Sequence, residues 1–183
     1  MPSAHLCPWW LTWTFDNPLR RLIHPPDVIV APFVRPGDLV ADIGCGMGCF
    51  TLGLARSVGP TGRVVAVDLQ PQQLAVVNRR AARAGLGDRV ETRLAKPDHL
   101  PLPAGIAFVL AFWMLHEVDD TDAFLAHVRD ALAPGGTLLV VEPTIHVSRS
   151  HFDDEVRRAT ALGFVAESTS GIRFSRAVLL RRP

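Results

Sequence analysis

Tyrosine is absent from this 183-residue sequence, and neither sign of charge predominates. Without tyrosine there is no phenol to serve as a general base or substrate clamp, so histidine, carboxylate or cysteine side chains would have to do that work. The 19 Lys and Arg residues against 18 Asp and Glu residues give a formal net charge of +1. This balance excludes the strong positive electrostatic field that attracts nucleic acid or anionic lipid, so the expected partner is a small molecule.

Long apolar runs and abundant cysteine are missing as well. No segment reaches the roughly 18 to 20 apolar residues that span a bilayer, and the amino terminus lacks the basic and then apolar pattern of a secretion signal. The three cysteines, Cys7, Cys45 and Cys49, are an odd number without such a signal, so we expect free thiols. The sequence therefore predicts a cytoplasmic protein with no membrane partner, and it leaves the oligomeric state open.

Short β-branched runs alternate with longer amphipathic stretches from Asp38 onward. This alternation predicts an α/β fold, a doubly wound and mostly parallel sheet in a three-layer sandwich. The predicted parallel strands are Leu39–Ile43, Arg63–Val67, Arg89–Leu94, Ala107–Phe112 and Thr137–Glu142. The predicted helices are Pro71–Ala84, Asp120–Leu132 and His151–Leu162, with a turn at Ala133–Gly136. Two closing runs, Val165–Glu167 and Phe174–Leu180, predict an antiparallel hairpin at the sheet edge.

The first 37 residues differ from the rest because they are rich in proline and carry clustered tryptophans. We interpret residues 1–37 as a leader that forms a lid over the active site, and residues 38–183 as the domain that carries the chemistry. Trp9 and Trp10 would either wall a cation through π interaction or pack the leader onto the domain.

A glycine-rich turn follows the first predicted strand, in the segment Asp42-Ile43-Gly44-Cys45-Gly46-Met47-Gly48. Its glycines permit positive φ and close approach of a ligand to the backbone. Twenty residues after Gly48, Asp68 ends the second strand, where a carboxylate can accept both hydroxyls of a ribose. These features fit a dinucleotide or S-adenosylmethionine. In the dinucleotide-binding pattern the third glycine comes three residues after the second, and this chain has Cys49 there. The spacing of the glycines therefore disfavours a dinucleotide.

The sequence resembles the class I S-adenosylmethionine-dependent methyltransferases over roughly residues 35 to 180. The resemblance rests on the glycine-rich turn, on Val67-Asp68, on Leu100-Pro101-Leu102-Pro103 and on Leu132-Ala133-Pro134-Gly135-Gly136. It implies a Rossmann-like fold and the transfer of a methyl group from S-adenosylmethionine to an acceptor, with S-adenosylhomocysteine as product. The acceptor is expected to be a small molecule. A dinucleotide-dependent oxidoreductase and a non-catalytic S-adenosylmethionine-binding scaffold are the alternatives.

The resemblance also implies roles for individual residues. Asp42 would face the amino group of the methionine part, and Asp68 would hold the ribose. The remaining implied cofactor contacts are Gly44, Cys45, Gly46, Gly48, Leu69, Gln70, Ala95, Lys96 and Phe112. Lys96 departs from the family, since many relatives have an acidic residue there for the adenine amine. A loop carbonyl or Asp98 would have to replace it.

His116 and Glu117 follow the fourth predicted strand, at the sheet edge where the methyl group would be delivered. They are the candidates for substrate contact or general base, while His116 has the alternative role of packing at a helix start. Because adjacent helical residues point about 100° apart, Glu117 is not expected to pair with His116. No metal site is predicted. DNA is excluded as a substrate because the Asn-Pro-Pro-aromatic and Pro-Cys motifs and a recognition domain are missing.

Overall fold

The computed structural model describes residues 22–169 and 171–183. The predicted tryptophan cluster and Cys7 lie outside these residues, so the interpretation of residues 1–37 as a lid stays a prediction. The chain divides after Pro101 into two compact units, an N-terminal unit and a C-terminal unit that begins at Leu102. Among the described helices, none is long and apolar enough to cross a membrane.

The N-terminal unit alternates helices with parallel strands, as its sequence pattern predicts. Its elements are α1 (Pro26–Val30), β1 (Leu39–Ile43), α2 (Cys49–Ser57), β2 (Arg63–Asp68), α3 (Pro71–Arg83), a 3-10 turn (Gly87–Arg89) and β3 (Val90–Leu94). The strand order within the unit is β3-β2-β1. Ile43 is level with Val67, and Asp68 is level with Leu94, so the carboxyl ends of all three strands lie at one edge of this part of the sheet.

Apolar strand residues form the core of the N-terminal unit. Val64–Val67 of β2 are at most 1% exposed, which is the near-continuous apolar run expected of a parallel strand covered on both faces. Helix α1 packs closely on α2, because a Cβ added to Gly53 would lie 2.8 Å from the Cβ of Pro26. The Arg56 guanidinium also pairs with both carboxylate oxygens of Asp27. The described end of the leader is therefore fastened to α2.

The C-terminal unit contains β4 (Ile106–Phe112), a 3-10 turn (Leu115–Glu117), α4 (Thr121–Ala131), β5 (Leu132–Pro143), α5 (Arg149–Ala161), β6 (Val165–Glu167) and β7 (Ser175–Arg181). Its strand order is β4-β5-β7-β6. Strands β4 and β5 are parallel, whereas β7 runs antiparallel to both β5 and β6. The predicted antiparallel edge hairpin is thus confirmed. Capping side chains start both helices, since Asp120 accepts a hydrogen bond from the amide of Ala123 and Ser148 accepts one from the amide of His151.

Most predicted elements differ from the structure by one or two residues at their ends, and the largest difference is at the start of the fifth strand. Residues Ala133–Gly136 do not form a separate turn before the fifth strand, because β5 already begins at Leu132, opposite Ile106. The pairing resumes at Thr137, opposite Phe108, so the intervening residues form a bulge in the strand. Glycine makes this bulge possible: Gly135 has φ of 76°, and a Cβ on Gly136 would lie 2.8 Å from the carbonyl oxygen of Ile106.

Candidate active site

The glycine-rich turn after β1 is held against the end of β2 by its backbone. The amides of Gly44 and Cys45 both donate to the carbonyl oxygen of Val67, at 2.8 and 3.1 Å. Gly44, Gly46 and Gly48 have φ of 66°, 52° and 84°, a region that side chains with a Cβ rarely adopt. A Cβ added to Gly46 would meet nothing within 4 Å. The turn therefore exposes backbone beside open space, as close contact with a ligand requires.

Asp68 lies at the carboxyl end of β2 and reaches back to this turn. Its Oδ2 accepts a hydrogen bond from the amide of Gly46, and its Oδ1 accepts one from the amide of Gln70, both at 2.9 Å. Burial raises the pKa of Asp68, while these backbone hydrogen bonds oppose the rise. The backbone of Leu69 also hydrogen-bonds to this carboxylate. Because an ionised carboxylate has about four lone-pair sites, an acceptor position remains for a ribose hydroxyl. The described geometry fits the predicted role of Asp68.

Asp42 occupies the buried interior beneath the glycine-rich turn. Its side chain is 2% exposed, and its Oδ2 accepts a hydrogen bond from the Thr51 hydroxyl at 2.6 Å. Thr51 belongs to α2, so Asp42 ties β1 to the helix that follows the turn. A role of Asp42 toward the methionine part of the cofactor stays a prediction.

The two described cysteines are buried free thiols, which confirms the expectation for Cys45 and Cys49. Burial raises the pKa of the Cys45 thiol well above its usual value, and the carboxylates of Asp42 and Asp68 add to that rise. The thiolate is the nucleophilic and metal-binding form of cysteine. The raised pKa of Cys45 therefore favours its protonated, less reactive form.

The loop after β3 approaches the same strand ends. The amide of Ala95 donates to the carbonyl oxygen of Asp68 at 2.9 Å. Lys96 is exposed, and its backbone pairs with that of His99, which places Asp98 in the exposed turn between them. Leu69 and Leu94 are 37% and 49% exposed, so apolar surface accompanies the Asp68 carboxylate at this edge. The ring face of a flat aromatic base such as adenine would cover such a surface.

In the C-terminal unit, the residues after β4 are fastened to the end of β5 by Glu142. This carboxylate is fully buried: its Oε1 accepts a hydrogen bond from the amide of Leu115 at 2.8 Å, and its Oε2 contacts Nδ1 of His116. Hydrogen bonding to Glu142 raises the pKa of His116, and burial of the imidazole opposes the rise. His116 thus lies in the short 3-10 turn Leu115–Glu117, and not at the start of α4.

Further titratable side chains surround His116. The ring of His146 stacks on the His116 ring with a centroid distance of 6.3 Å. Glu155 of α5 is 5% exposed, and neither of its carboxylate oxygens accepts a hydrogen bond from the described residues, although Nε2 of His151 lies 3.3 Å from Oε1. Burial and the nearby Glu142 raise the pKa of Glu155 to about 7. Glu117 is exposed, and its charge adds to the rise in the pKa of His116.

Phe112 is the last residue of β4, and Trp113 follows it. Phe112 is 6% exposed, and its ring centroid lies 5.6 Å from that of Trp113. Trp113 has φ of 59°, which is unusual for a bulky residue, and its indole N–H donates to the Ser175 hydroxyl at 2.9 Å. Backbone strain of this kind is common at functional sites. No three His, Cys, Asp or Glu side chains of the described chain are grouped so that they would hold a metal ion.

Comparison with known proteins identifies the family. A family described as a methyltransferase domain matches residues 40–136, just over half of the chain. The chain belongs to the class I S-adenosylmethionine-dependent methyltransferases. Methyltransferase-family members use S-adenosylmethionine as the methyl donor, and the resemblance predicted from the glycine-rich turn is confirmed.

Two curated relatives and one solved structure indicate how far the likeness extends. The chain is 37% identical over 110 residues to the ubiquinone/menaquinone biosynthesis C-methyltransferase UbiE of Hahella chejuensis, covering 60% of this chain and 44% of that protein. It is 33% identical over 124 residues to the carboxy-S-adenosyl-L-methionine synthase of Dichelobacter nodosus, covering 67% and 52%. The chain thus spans about half the length of these relatives.

The structural match is to a crystal structure of a SAM-dependent methyltransferase from Aquifex aeolicus. Its TM-score is 0.85 at 18% identity, over 97% of this chain and 100% of that one. This likeness confirms the fold: Rossmann-like, with seven strands, mostly parallel, an antiparallel edge and flanking helices.

Sequence reasoning missed Glu142 as the partner of His116. The sequence did contain a signal, because Glu142 follows the buried run Leu138–Val141 just as Asp42 and Asp68 lie at the ends of their own buried strands. A search for a carboxylate at the end of the fifth buried strand would have found Glu142. Glu155 gave no such signal, since it lies on a polar helix, and its burial depends on packing.

Proposed function

We propose that this chain binds S-adenosylmethionine at the glycine-rich turn after β1 and transfers its methyl group to a small-molecule acceptor. The observation that carries the proposal is the pair of hydrogen bonds from Gly46 and Gln70 to Asp68. They fix a carboxylate beside a turn of left-handed glycines, and the space next to Gly46 is open. A nucleoside whose ribose hydroxyls bind Asp68 fits this arrangement.

Each residue proposed to hold the cofactor would contact its methionine part, its ribose or its adenine. Gly44, Gly46 and Gly48, with the backbone of Cys45, would lie against the methionine part, and Asp42 would face its amino group. Asp68 would accept the ribose hydroxyls. The adenine would meet apolar and loop residues, namely Leu69, Gln70, Ala95, Lys96 and Phe112. Asp98, exposed in the turn after Lys96, is the acceptor that we propose for the adenine amine.

When bound, S-adenosylmethionine supplies an electrophilic methyl group, and the electron pair of the S–C bond stays on sulfur as the methyl leaves. Such a displacement requires a well-oriented nucleophile and, where the acceptor atom carries a proton, a base to remove it. We propose that His116 serves the acceptor in this way, with Glu117 as a neighbouring contact. The cytoplasmic location, the absence of a DNA substrate and the lid formed by residues 1–37 stay predictions.

Isothermal titration tests the proposal with three ligands. S-adenosylmethionine and S-adenosylhomocysteine should bind, while a reduced nicotinamide dinucleotide should not. Binding of the dinucleotide alone would favour the oxidoreductase alternative, and binding without turnover on a broad pool of metabolites would favour the scaffold. A pooled-metabolite assay with a labelled methyl donor then identifies the acceptor.

A further inference from the structure

Strand β3 has a partner strand on one side of its backbone only. It is the outer strand of the order β3-β2-β1, and within the part of the chain that the structure describes only β2 pairs with it. Its register with β2 is unbroken, from Val90 opposite Val64 to Leu94 opposite Asp68, and it contains no proline. Bulges and prolines hinder an edge strand from pairing with another chain, and β3 has neither.

The hydrogen bonds of β3 show which backbone groups face outward. The amide of Ala95, directly after the strand, donates to the carbonyl oxygen of Asp68 in β2. Because successive residues of a strand direct their peptide groups to opposite sides, every second residue counted back from Ala95 also faces β2. The residues between them face outward, namely Val90, Thr92 and Leu94. The amide of Val90 donates to Gly87 in the preceding turn, so the outward donors left in the described chain are those of Thr92 and Leu94.

One face of β3 is covered by α3. The side chain of Val90 packs against a buried apolar cluster that includes Val77 of α3. The hydroxyl of Thr92 accepts a hydrogen bond from the side-chain amide of Asn78, also in α3, at 3.0 Å. Leu94 shares this face because it follows at the same two-residue spacing. The strand is therefore uncharged at all three positions of this face.

The other face of β3 carries one acid and one base. Nε of Arg93 donates to Oε1 of Glu91 at 2.7 Å, and the guanidinium also donates to the carbonyl oxygen of Pro101. The Glu91 side chain is 57% exposed, so its carboxylate has room for a further donor. Glu91 stands one position before Thr92 and Arg93 one position after it. The charges of the strand are thus self-complementary about Thr92.

A second copy of β3, running antiparallel, is complementary to these groups when the two-fold axis lies at Thr92. Each Glu91 is then opposite the Arg93 of the other copy. An axis at Glu91 or at Arg93 would instead set like charges opposite each other, which destabilises a strand pair. The axis at Thr92 also aligns the outward donors with acceptors. The amide of Thr92 meets the carbonyl oxygen of the second copy's Thr92, and the amide of Leu94 meets that of Val90.

Helix α3 leaves room for this pairing. It lies over both outer strands, since one apolar cluster joins it to Ala66 of β2 and to Val90 of β3. With paired strands about 4.8 Å apart, the two copies of α3 would be about 10 Å apart. Packed helices are separated by about 8 to 10 Å. The side of α3 that carries Asn78 has small exposed residues three positions before and four after, Ala75 and Ala82. The two helices therefore fit side by side.

We propose that the outer edge of β3 is a homodimer contact, where a second copy of this chain pairs antiparallel about an axis at Thr92. Backbone hydrogen bonds and reciprocal Glu91–Arg93 ion pairs hold the copies together. The five residues of β3 fall short of the roughly 20 to 30 per side in a standard interface. The dimer therefore forms only in concentrated protein, and dilute protein is monomeric. This inference does not depend on the proposed methyl transfer.

Sedimentation velocity on the full chain tests the dimer, from low micromolar to near-millimolar protein. The wild type should change from monomer to dimer as the concentration rises. Glu91→Arg should stay monomeric because it sets like charges opposite each other, and Glu91→Arg combined with Arg93→Glu should restore the dimer. Asp153→Arg, which breaks the exposed Arg149–Asp153 pair of α5, is the matched control and should dimerise. A wild type that is monomeric throughout, a dimeric Glu91→Arg protein or a monomeric double variant would overturn the proposal.

Cysteine cross-linking identifies the register. The Cα atoms of a hydrogen-bonded antiparallel pair lie about 5.5 Å apart, which is within the range of a disulfide. Thr92→Cys should therefore give a disulfide-linked dimer on air oxidation. Glu91→Cys and Arg93→Cys should cross-link with each other when mixed, and neither with itself. The wild type, which has three cysteines of its own, gives the background. Self-cross-linking of Glu91→Cys, or none with Thr92→Cys, contradicts an axis at Thr92.

Thr92→Pro separates the edge contact from the fold. The amide that it removes faces outward, and an edge strand tolerates proline at such a position. The variant should be monomeric at every concentration. Thr92→Val, which keeps the amide, should dimerise, and the two should have similar Tm values in dilute protein. A folded Thr92→Pro protein that still dimerises would place the contact on another surface. If Thr92→Pro does not fold, the charge exchange decides the question, since it leaves the backbone unchanged.

Discussion

The amide of Gly46 donates a hydrogen bond to the Asp68 carboxylate across 22 positions of sequence, at 2.9 Å. One carboxylate thus shapes the glycine-rich turn and presents the remaining lone pairs to a ligand. Asp68 consequently serves both the local fold and the proposed ribose contact, and substitutions that separate these two roles are informative.

Asp68→Asn is expected to weaken S-adenosylmethionine binding by roughly 10-fold to over 100-fold. The reason is that each charge-assisted hydrogen bond lost is worth about 1.5 to 3 kcal/mol. Isothermal titration measures the change, and Asp88→Asn, at an exposed position in the 3-10 turn before β3, is the control. Unchanged affinity in a folded Asp68→Asn protein would place the cofactor elsewhere.

Gly46→Ala and Gly85→Ala form a matched pair. Both glycines have positive φ, 52° and 68°, and a Cβ on either would meet nothing within 4 Å. Each substitution should therefore lower the free energy of unfolding by about 1 to 2 kcal/mol, measured by urea denaturation. Only the Gly46 variant should lose affinity for S-adenosylmethionine, because its methyl group enters the proposed cofactor space. Equal affinities in the two variants would argue against that placement.

His116→Ala is expected to leave the affinity for S-adenosylmethionine almost intact while kcat falls by about 10²- to 10⁴-fold, since a positioned base acts on the acceptor and not on cofactor binding. Titration calorimetry measures the affinity for S-adenosylmethionine, and steady-state kinetics measure kcat. A variant with normal kcat and a lowered Tm would instead make His116 a packing residue of the 3-10 turn.

Glu155 makes the stability of the protein depend on pH. Burial raises its pKa from 4.5 to about 7, so the folded state retains this proton over a range where the unfolded state has lost it. The stabilisation from this proton is complete below pH 4.5 and is lost as the pH rises to about 7. The loss amounts to at most about 3 kcal/mol, since each unit of pKa difference between the folded and unfolded states is worth about 1.36 kcal/mol.

Glu155→Gln should remove this dependence, because an amide does not ionise. Relative to the wild type, the variant should gain free energy of unfolding between pH 4.5 and pH 8 in urea titrations. Glu91→Gln, at an exposed position in β3, should follow the wild-type curve. Parallel curves for the wild type and Glu155→Gln would show that Glu155 ionises normally.

The strands were the most predictable part of the fold. The predicted first strand and Val165–Glu167 match β1 and β6 residue for residue. For β1 the reason is a buried apolar run that ends at Gly44, which leaves little freedom in its end. The start of β5 was wrong because Gly135 and Gly136, which usually mark a turn, here form a bulge within the strand. A local pattern does not distinguish these two uses of glycine.

By itself, the sequence determined the cofactor motif, since the glycines after β1 and Asp68 after β2 are set by backbone geometry and by the parallel arrangement of successive strands. Only the tertiary structure decided what surrounds His116. Glu142 and Glu155 reach it from β5 and α5, more than 25 positions away, and their burial determines their effect. A charge placed in a low-dielectric interior acts far more strongly than the same charge in water, and a sequence does not record which charges are buried.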